Sequence, residues 1–204
     1  MSHKVVQWFK KSDRVLFSVM LLGGLAALIA SFVLTLEKFH LYDDPNAILS
    51  CSINLVLNCT TVMETWQSEV FGFPNMIIGL MAYSVVVTMA LAGLAAVKFP
   101  RWWLIVQNIG FGLGLLFAYW LFFQSLYDIQ VLCPWCLIVT TATTLIFSSM
   151  LHYNLKQNTF KFAEKTNKRV QRFLSAGYHQ MIVLAWIALM VVLVFLKFGQ
   201  DLFA

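Results

Sequence analysis

The chain has 204 residues, of which 60% are hydrophobic and only 11% are charged. A soluble domain of this length does not need so much apolar surface, so the composition indicates a membrane protein with no separate soluble domain. The formal net charge of +5 would suit nucleic acid, but its distribution along the chain argues for membrane topology instead, and we predict no nucleic-acid partner.

Several apolar runs are long enough to cross a bilayer, which takes about 20 residues. The predicted membrane helices cover residues 15–36, 73–97, 102–124, 131–151 and 178–198. The sequence therefore predicts an all-α integral membrane protein, in which a four-helix bundle is followed by a fifth transmembrane helix.

The segments between these helices complete the predicted domain organisation. A long loop at 37–72 holds two cysteines, and residues 125–130 form a short loop. The predicted divisions are a basic N-terminus (1–14), a four-helix core with its loop (15–151), a basic loop (152–177), and the fifth helix with its tail (178–204).

The basic residues predict which way the protein faces. Twelve of the 14 Lys and Arg residues fall before the first helix, in the turn at 98–101 or in the loop at 152–177, and only Lys38 and Lys197 fall on the other side. By the positive-inside rule the basic side is cytoplasmic, where anionic lipid is its natural contact. All four cysteines then lie at the outer or periplasmic face of the cell membrane, where disulfides form.

One cysteine pair lies at the start of the fourth predicted helix, in the sequence Cys133-Pro134-Trp135-Cys136. A helix N-terminus favours the thiolate, which is the nucleophile of disulfide exchange. Helix rise places Cys136 about 4–5 Å deeper than Cys133. We therefore expect Cys133 at the aqueous boundary and Cys136 toward the lipid, which suits electron transfer from water-soluble thiols to a lipid-soluble acceptor.

Other interpretations explain part of this pattern. A Cys-x-x-Cys pair can be half of a zinc site, and four cysteines together can hold a metal ion. No second such pair or His pair completes a zinc site, so we predict no metal. The remaining alternative is a tetraspan membrane protein with structural disulfides and no catalysis, but the outer loop is short and apolar for an adhesion module.

Taken together, the motifs resemble the vitamin K epoxide reductase (VKOR) family, specifically its bacterial disulfide-forming members. The resemblance covers roughly residues 15–151 and depends on motifs that occur in the family's order: Cys51, the stretch Cys59-Thr60-Thr61-Val62-Met63-Glu64-Thr65, the stretch Phe71-Gly72-Phe73-Pro74-Asn75, Gly79, and Cys133-Pro134-Trp135-Cys136. Each motif alone is weak, and the set is specific.

The resemblance implies a redox relay built on the four cysteines. Cys133 and Cys136 match the active-site pair that reduces a quinone of menaquinone or ubiquinone type. Cys51 and Cys59 match the loop pair that takes electrons from a secreted, DsbA-like thioredoxin-fold protein, and the link between the two pairs is Cys59 to Cys133. Because the sequence ends before the thioredoxin-like domain fused to some bacterial members, we expect that partner to be a separate protein.

The resemblance also implies three quinone-binding residues. Asn75 matches an asparagine that hydrogen-bonds a quinone carbonyl, although it also suits a helix start. Thr65 matches a hydroxyl position near the active-site sulfur or the quinone, although it also suits a helix cap or loop hydroxyl. Thr140 lies where the animal epoxide reductases have a tyrosine, which favours a plain quinone over an epoxide as the acceptor.

Overall fold

The computed structural model describes residues 3–45, 47 and 49–199, with side chains from residue 13 onward. Over these ranges the regular secondary structure is helical, with one isolated β-bridge beside the helices, which confirms the predicted all-α class. The α-helices in chain order are α1 (His3–Asp43), α2 (Cys59–Met63), α3 (Asn75–Leu94), α4 (Arg101–Gln124), α5 (Pro134–Lys156), α6 (Glu164–Ser175) and α7 (Tyr178–Phe198). Residues 200–204 of the predicted tail lie outside the described residues.

Five of the helices are long and apolar enough to span a membrane: α1 from Asp13, α3, α4, α5 and α7. The five predicted spans are therefore confirmed as helices, and α7 has the predicted bounds. The predicted short loop at 125–130 is wrong for most of its length, because α4 continues into a π-helical turn at Ser125–Ile129. Gln130, with a φ of 57°, ends that turn.

The other predicted boundaries differ from the structure where a distant contact extends or shortens a helix. Helix α1 continues to Asp43 instead of ending at residue 36, because Lys38 is buried and paired with Glu69 of the following loop. Helix α3 is shorter than predicted at both ends, with Pro74 at its N-cap. Helix α5 begins at Pro134 instead of residue 131, because the preceding backbone is extended and hydrogen-bonded to the loop.

The core of the bundle is formed by α1 packed against α3 and α5, with α4 packed against α5. A small residue, Gly24, allows the close approach of α1 and α3. A Cβ built on Gly24 would lie 3.0 Å from Cγ1 of Val86, so a larger residue there would push the helices apart. Buried side chains fill one end of the bundle: Phe17, Met20, Met89, Ala90, Leu104 and Met150.

The segment predicted as one basic loop at 152–177 contains more structure than expected. Helix α5 continues through its start to Lys156, whose ammonium group contacts Asp13 at 2.7 Å. Helix α6 then carries basic residues along one exposed face and buries Leu174. Helix α7 lies at the edge of the bundle. Only 6% of its most apolar stretch is buried, compared with 44% for α1.

The loop between α1 and α3 folds back over the end of the bundle as a cap. Its backbone pairs with the residue before Cys133: Leu132 N–H donates to the Val56 carbonyl at 2.7 Å, and Asn58 N–H donates to the Leu132 carbonyl at 3.0 Å. The cap and the helix ends share one buried apolar cluster: Leu34, Leu41, Leu49, Cys51, Cys59, Met63 and Cys133.

Candidate active site

The cap carries a disulfide between Cys51 and Cys59. Cys59 is the first residue of α2, and Asn58 caps that helix by accepting a hydrogen bond from the Thr61 N–H at 3.2 Å. The disulfide is buried, with Cys51 5% exposed and Cys59 fully covered. A reagent in water therefore reaches these sulfurs only when part of the cap moves.

A third sulfur lies beside the disulfide. Cys133 Sγ is 3.2 Å from Cys59 Sγ, although the two residues are 74 positions apart in the chain. The isolated β-bridge between Leu57 and Leu132 explains the approach, because each cysteine follows directly after the paired backbone. The geometry allows disulfide exchange between these two sulfurs without a large movement of either chain segment.

The fourth sulfur is one helical turn further along. Cys133 is the N-cap of α5 and Cys136 lies in its first turn; both are free thiols. Cys133 is only 1% exposed, so the expectation that it faces the aqueous boundary is wrong. Helix rise gave the relative depth of the two residues, but the cap, which comes from elsewhere in the chain, covers Cys133.

The environment of Cys133 favours its thiolate form. A hydrogen bond from the Cys136 thiol is the main cause that lowers the pKa of Cys133, while burial opposes the shift. The backbone N–H groups of Trp135 and Cys136 add to the lowering, as expected at a helix N-terminus. Cys133 is therefore the better nucleophile for attack on the neighbouring disulfide.

Beneath the sulfurs lies a partly enclosed, largely apolar cavity of about 210 Å³, located between α1, α3, α4 and α5. Cys133 and Cys136 both line it. Its apolar walls come from aliphatic and aromatic side chains, including Met76, Phe111, Phe117, Leu121, Phe122 and Leu137. An apolar cavity with few polar groups is the usual form of a site for a lipid-soluble ring compound.

The three residues proposed from the resemblance as quinone ligands all line this cavity. The Thr65 hydroxyl donates to the Val62 carbonyl at 2.8 Å, and the Thr140 hydroxyl donates to the Cys136 carbonyl at 2.8 Å. Each hydroxyl thus uses its hydrogen in that bond and keeps lone pairs that can accept a hydrogen bond. The Asn75 side chain donates to the Gln67 carbonyl at 2.6 Å.

Two polar groups of the cavity wall stand out because they lack partners. Oδ1 of Asn75 and Oε1 of Gln67 are buried and have no hydrogen-bond partner within the described part of the chain. Leaving a buried acceptor unpaired costs about 1–3 kcal/mol, so each is a candidate ligand contact. Sequence reasoning missed Gln67, although an uncharged polar residue between two motif segments was a usable signal.

The amide nitrogen of Gln67 faces the end of α4. It donates to Asp128 Oδ2 at 2.6 Å and to Gln124 Oε1 at 3.4 Å. Sequence reasoning also missed Asp128, which belongs to the π-helical turn that was predicted as a loop. On the opposite wall, the Tyr83 hydroxyl lies 2.6 Å from the Thr143 hydroxyl.

Among the described side chains there is no group of three or more His, Cys, Asp or Glu residues arranged to hold a metal ion. Two of the four cysteines are joined as a disulfide, and a third lies against it. The sulfur chemistry that this arrangement supports is thiol–disulfide exchange.

The protein has five candidate membrane spans, and it brings a disulfide and a thiol pair together above an apolar cavity. These features are those of a membrane thiol oxidoreductase. The model of the vitamin K epoxide reductase family matches residues 18–151, so the chain belongs to that family. No curated protein and no solved structure matches the chain significantly.

Proposed function

We propose that the protein is a thiol:quinone oxidoreductase that re-oxidises a secreted, thioredoxin-like protein and passes the electrons to a membrane quinone. The observation that carries this proposal is the contact between Cys59 Sγ and Cys133 Sγ at 3.2 Å, directly above the cavity that Cys136 lines. It gives electrons a continuous path from a surface loop to an apolar compartment.

In the first half of the reaction the partner protein delivers electrons to the cap. When the cap opens, a thiolate of the partner attacks Cys51, forms a mixed disulfide with it, and releases Cys59 as a thiolate. The second thiol of the partner then attacks its own sulfur in that mixed disulfide. The partner leaves as a disulfide, and Cys51 and Cys59 are both reduced.

In the second half the electrons cross to the helix pair. The Cys59 thiolate attacks Cys133 in a Cys133–Cys136 disulfide and releases Cys136, after which Cys51 attacks Cys59 and restores the cap disulfide. The structure has the redox state that follows this exchange, with Cys51–Cys59 oxidised and the other two cysteines as thiols. Those thiols then give two electrons and two protons to the quinone, and their disulfide re-forms.

The acceptor we propose is a plain quinone of menaquinone or ubiquinone type. The cavity has mainly apolar walls, which suit a quinone ring, and Thr140 occupies the position of the tyrosine found in animal epoxide reductases. The Thr140 hydroxyl is bonded back to its own helix, so its hydrogen is not available to an epoxide oxygen without breaking that bond. We expect the protein to reduce vitamin K epoxide poorly.

We further propose that the cysteine end of the bundle faces the outer side of the cell membrane, with the predicted N-terminal and 152–177 segments in the cytoplasm. Support comes from the position of the charges. The basic face of α6 and the ion pair between Lys156 and Asp13 lie at the end of the helices opposite the cap. An outer location would place the cap disulfide in an oxidising compartment.

The proposal is tested by anaerobic reduction of short-chain ubiquinone and menaquinone with purified protein, driven by a reduced thioredoxin-like protein. We expect quinol formation that is lost in Cys136→Ala and in Cys51→Ala, because the relay has no parallel route. Ser84→Ala, a change on an exposed face of α3, is the matched control and should keep the wild-type rate. A full rate in Cys51→Ala would refute the relay, and no quinol from the wild type would refute the function.

A further inference from the structure

The amide of Gln67 has a fixed orientation. Its side chain is 2% exposed, and its nitrogen donates to Asp128 Oδ2 and Gln124 Oε1. Because a carboxylate can only accept hydrogen bonds, the nitrogen must be the atom that faces Asp128. The oxygen Oε1 is therefore turned the other way, buried, and without a partner among the described residues.

The amide of Asn75 is fixed in a similar way but keeps one more option. Its nitrogen donates to the backbone carbonyl of Gln67 at 2.6 Å, and a carbonyl also only accepts. This uses one of the two hydrogens on the Asn75 nitrogen, and its Oδ1 has no partner within the described ranges. Asn75 can therefore donate or accept toward a ligand, whereas Gln67 can only accept.

We propose that Gln67 is a specificity residue that recognises the reduced ligand, by accepting a hydrogen bond from a hydroxyl of a hydroquinone. The inference rests on the proposed function, in which this cavity holds a quinone. An oxidised quinone has only carbonyl acceptors and leaves Oε1 of Gln67 unpaired. The hydroquinone has two O–H donors and satisfies an acceptor that otherwise stays buried without a partner.

This preference acts on the last step of the reaction. Cys133 and Cys136 lose two electrons and two protons and form a disulfide, while the quinone gains both and acquires its two hydroxyl groups. The bond to Gln67 exists only after that transfer, so it draws the equilibrium toward oxidised thiols and bound hydroquinone. The same bond slows release of the product.

Binding measurements on a protein that cannot turn over test the proposal. In a Cys133→Ala, Cys136→Ala double variant, we expect short-chain ubiquinol to bind about fivefold more tightly than the corresponding ubiquinone, the effect of one neutral hydrogen bond. Adding Gln67→Leu should remove that preference and leave ubiquinone affinity within about twofold. Gln107→Leu removes a buried amide outside the cavity and is the matched control.

A second variant avoids any dependence on the folding of Gln67→Leu. Asp128 is exposed, and Asp128→Asn replaces a pure acceptor by an amide that can also donate. The Gln67 amide is then free to turn its nitrogen toward the cavity. We expect the preference for ubiquinol to fall by about fivefold and affinity for ubiquinone to rise.

The outcomes separate this inference from the proposed function. If both forms bind equally to the unmodified Gln67 site, or if Gln67→Leu and Asp128→Asn both keep the preference for ubiquinol, the role of Gln67 is refuted while a quinone site stands. If neither form binds and the wild-type protein produces no quinol, the proposed function is refuted and the role of Gln67 with it.

Discussion

Lys38 fastens the cap that covers the sulfurs, and its replacement should loosen that cap. Its ammonium group donates to the Met63 carbonyl at 2.7 Å and contacts Glu69 Oε1 at 2.7 Å. Met63 is the last residue of α2, and Cys59 is the first. Lys38 therefore holds the short helix that carries the exchanging sulfur.

The size of the effect follows from the burial of the two contacts. A charged hydrogen bond to a buried carbonyl contributes about 1.5–3 kcal/mol. The pair with Glu69 contributes less than about 1 kcal/mol, because the Glu69 side chain is 34% exposed and water screens it. For Lys38→Met, which keeps an apolar side chain in place, we take a loss of about 2 kcal/mol in cap closure, or about 30-fold in the opening equilibrium.

The assay is the rate at which a small water-soluble thiol reduces the buried Cys51–Cys59 disulfide, followed by mass spectrometry without quinone. Because reduction requires opening of the cap, Lys38→Met should raise the rate by about 30-fold. Lys168→Met removes an exposed ion pair with Glu164 on α6 and is the matched control, with no expected change. A rate within twofold of wild type in a folded Lys38→Met protein would show that Lys38 does not hold the cap.

Further predictions concern acid, packing and topology. Hydrogen bonds from Lys38, and to a lesser extent from Tyr42, lower the pKa of Glu69 in the folded protein. The ionised Glu69 therefore stabilises cap closure fully above its unfolded pKa of about 4.3, and this stabilisation is lost as pH falls through the folded pKa. Cap closure, measured at acidic pH by the rate at which a water-soluble phosphine reduces the cap disulfide, should weaken as pH falls in wild type but not in Glu69→Gln. Gly24→Val should lower the free energy of unfolding by about 1–3 kcal/mol. Gly114→Ala should not lower it, because no atom lies within 4 Å of the added Cβ. Reporters fused after Gly177 and after Ala204 should report opposite sides of the membrane; the same side would refute five spans.

The sequence predicted those parts of the fold that depend on local hydrophobicity. Helix α7 has its predicted bounds because a long apolar run, Met181 to Leu196, lies between Gly177 and Gly199. Helix α1 was predicted too short because Lys38 looks like the end of a span until its partner in the loop is known. Helix α6 was missed because the segment was interpreted only by its charge, although its apolar and basic residues separate onto two faces.

The site was predictable to the extent that its chemistry lies in short motifs. Both cysteine pairs were identified from the sequence, but the burial of Cys133 was not, because the covering cap is brought there by backbone pairing between segments far apart in the chain. Gln67 and Asp128 are 61 residues apart, and neither belongs to a recognisable motif. Only the folded chain shows that Asp128 fixes the orientation of the Gln67 amide.

The relay is tested most directly by the disulfide that accumulates when Cys136→Ala is incubated with the reduced thioredoxin-like protein. Without Cys136, Cys133 cannot re-form its own pair, and its sulfur lies 3.2 Å from that of Cys59. We predict that mass spectrometry will find a Cys59–Cys133 bridge, with Cys51 released as a thiol. A Cys51–Cys133 bridge in its place, or a cap disulfide that stays unexchanged, would contradict the relay through Cys59.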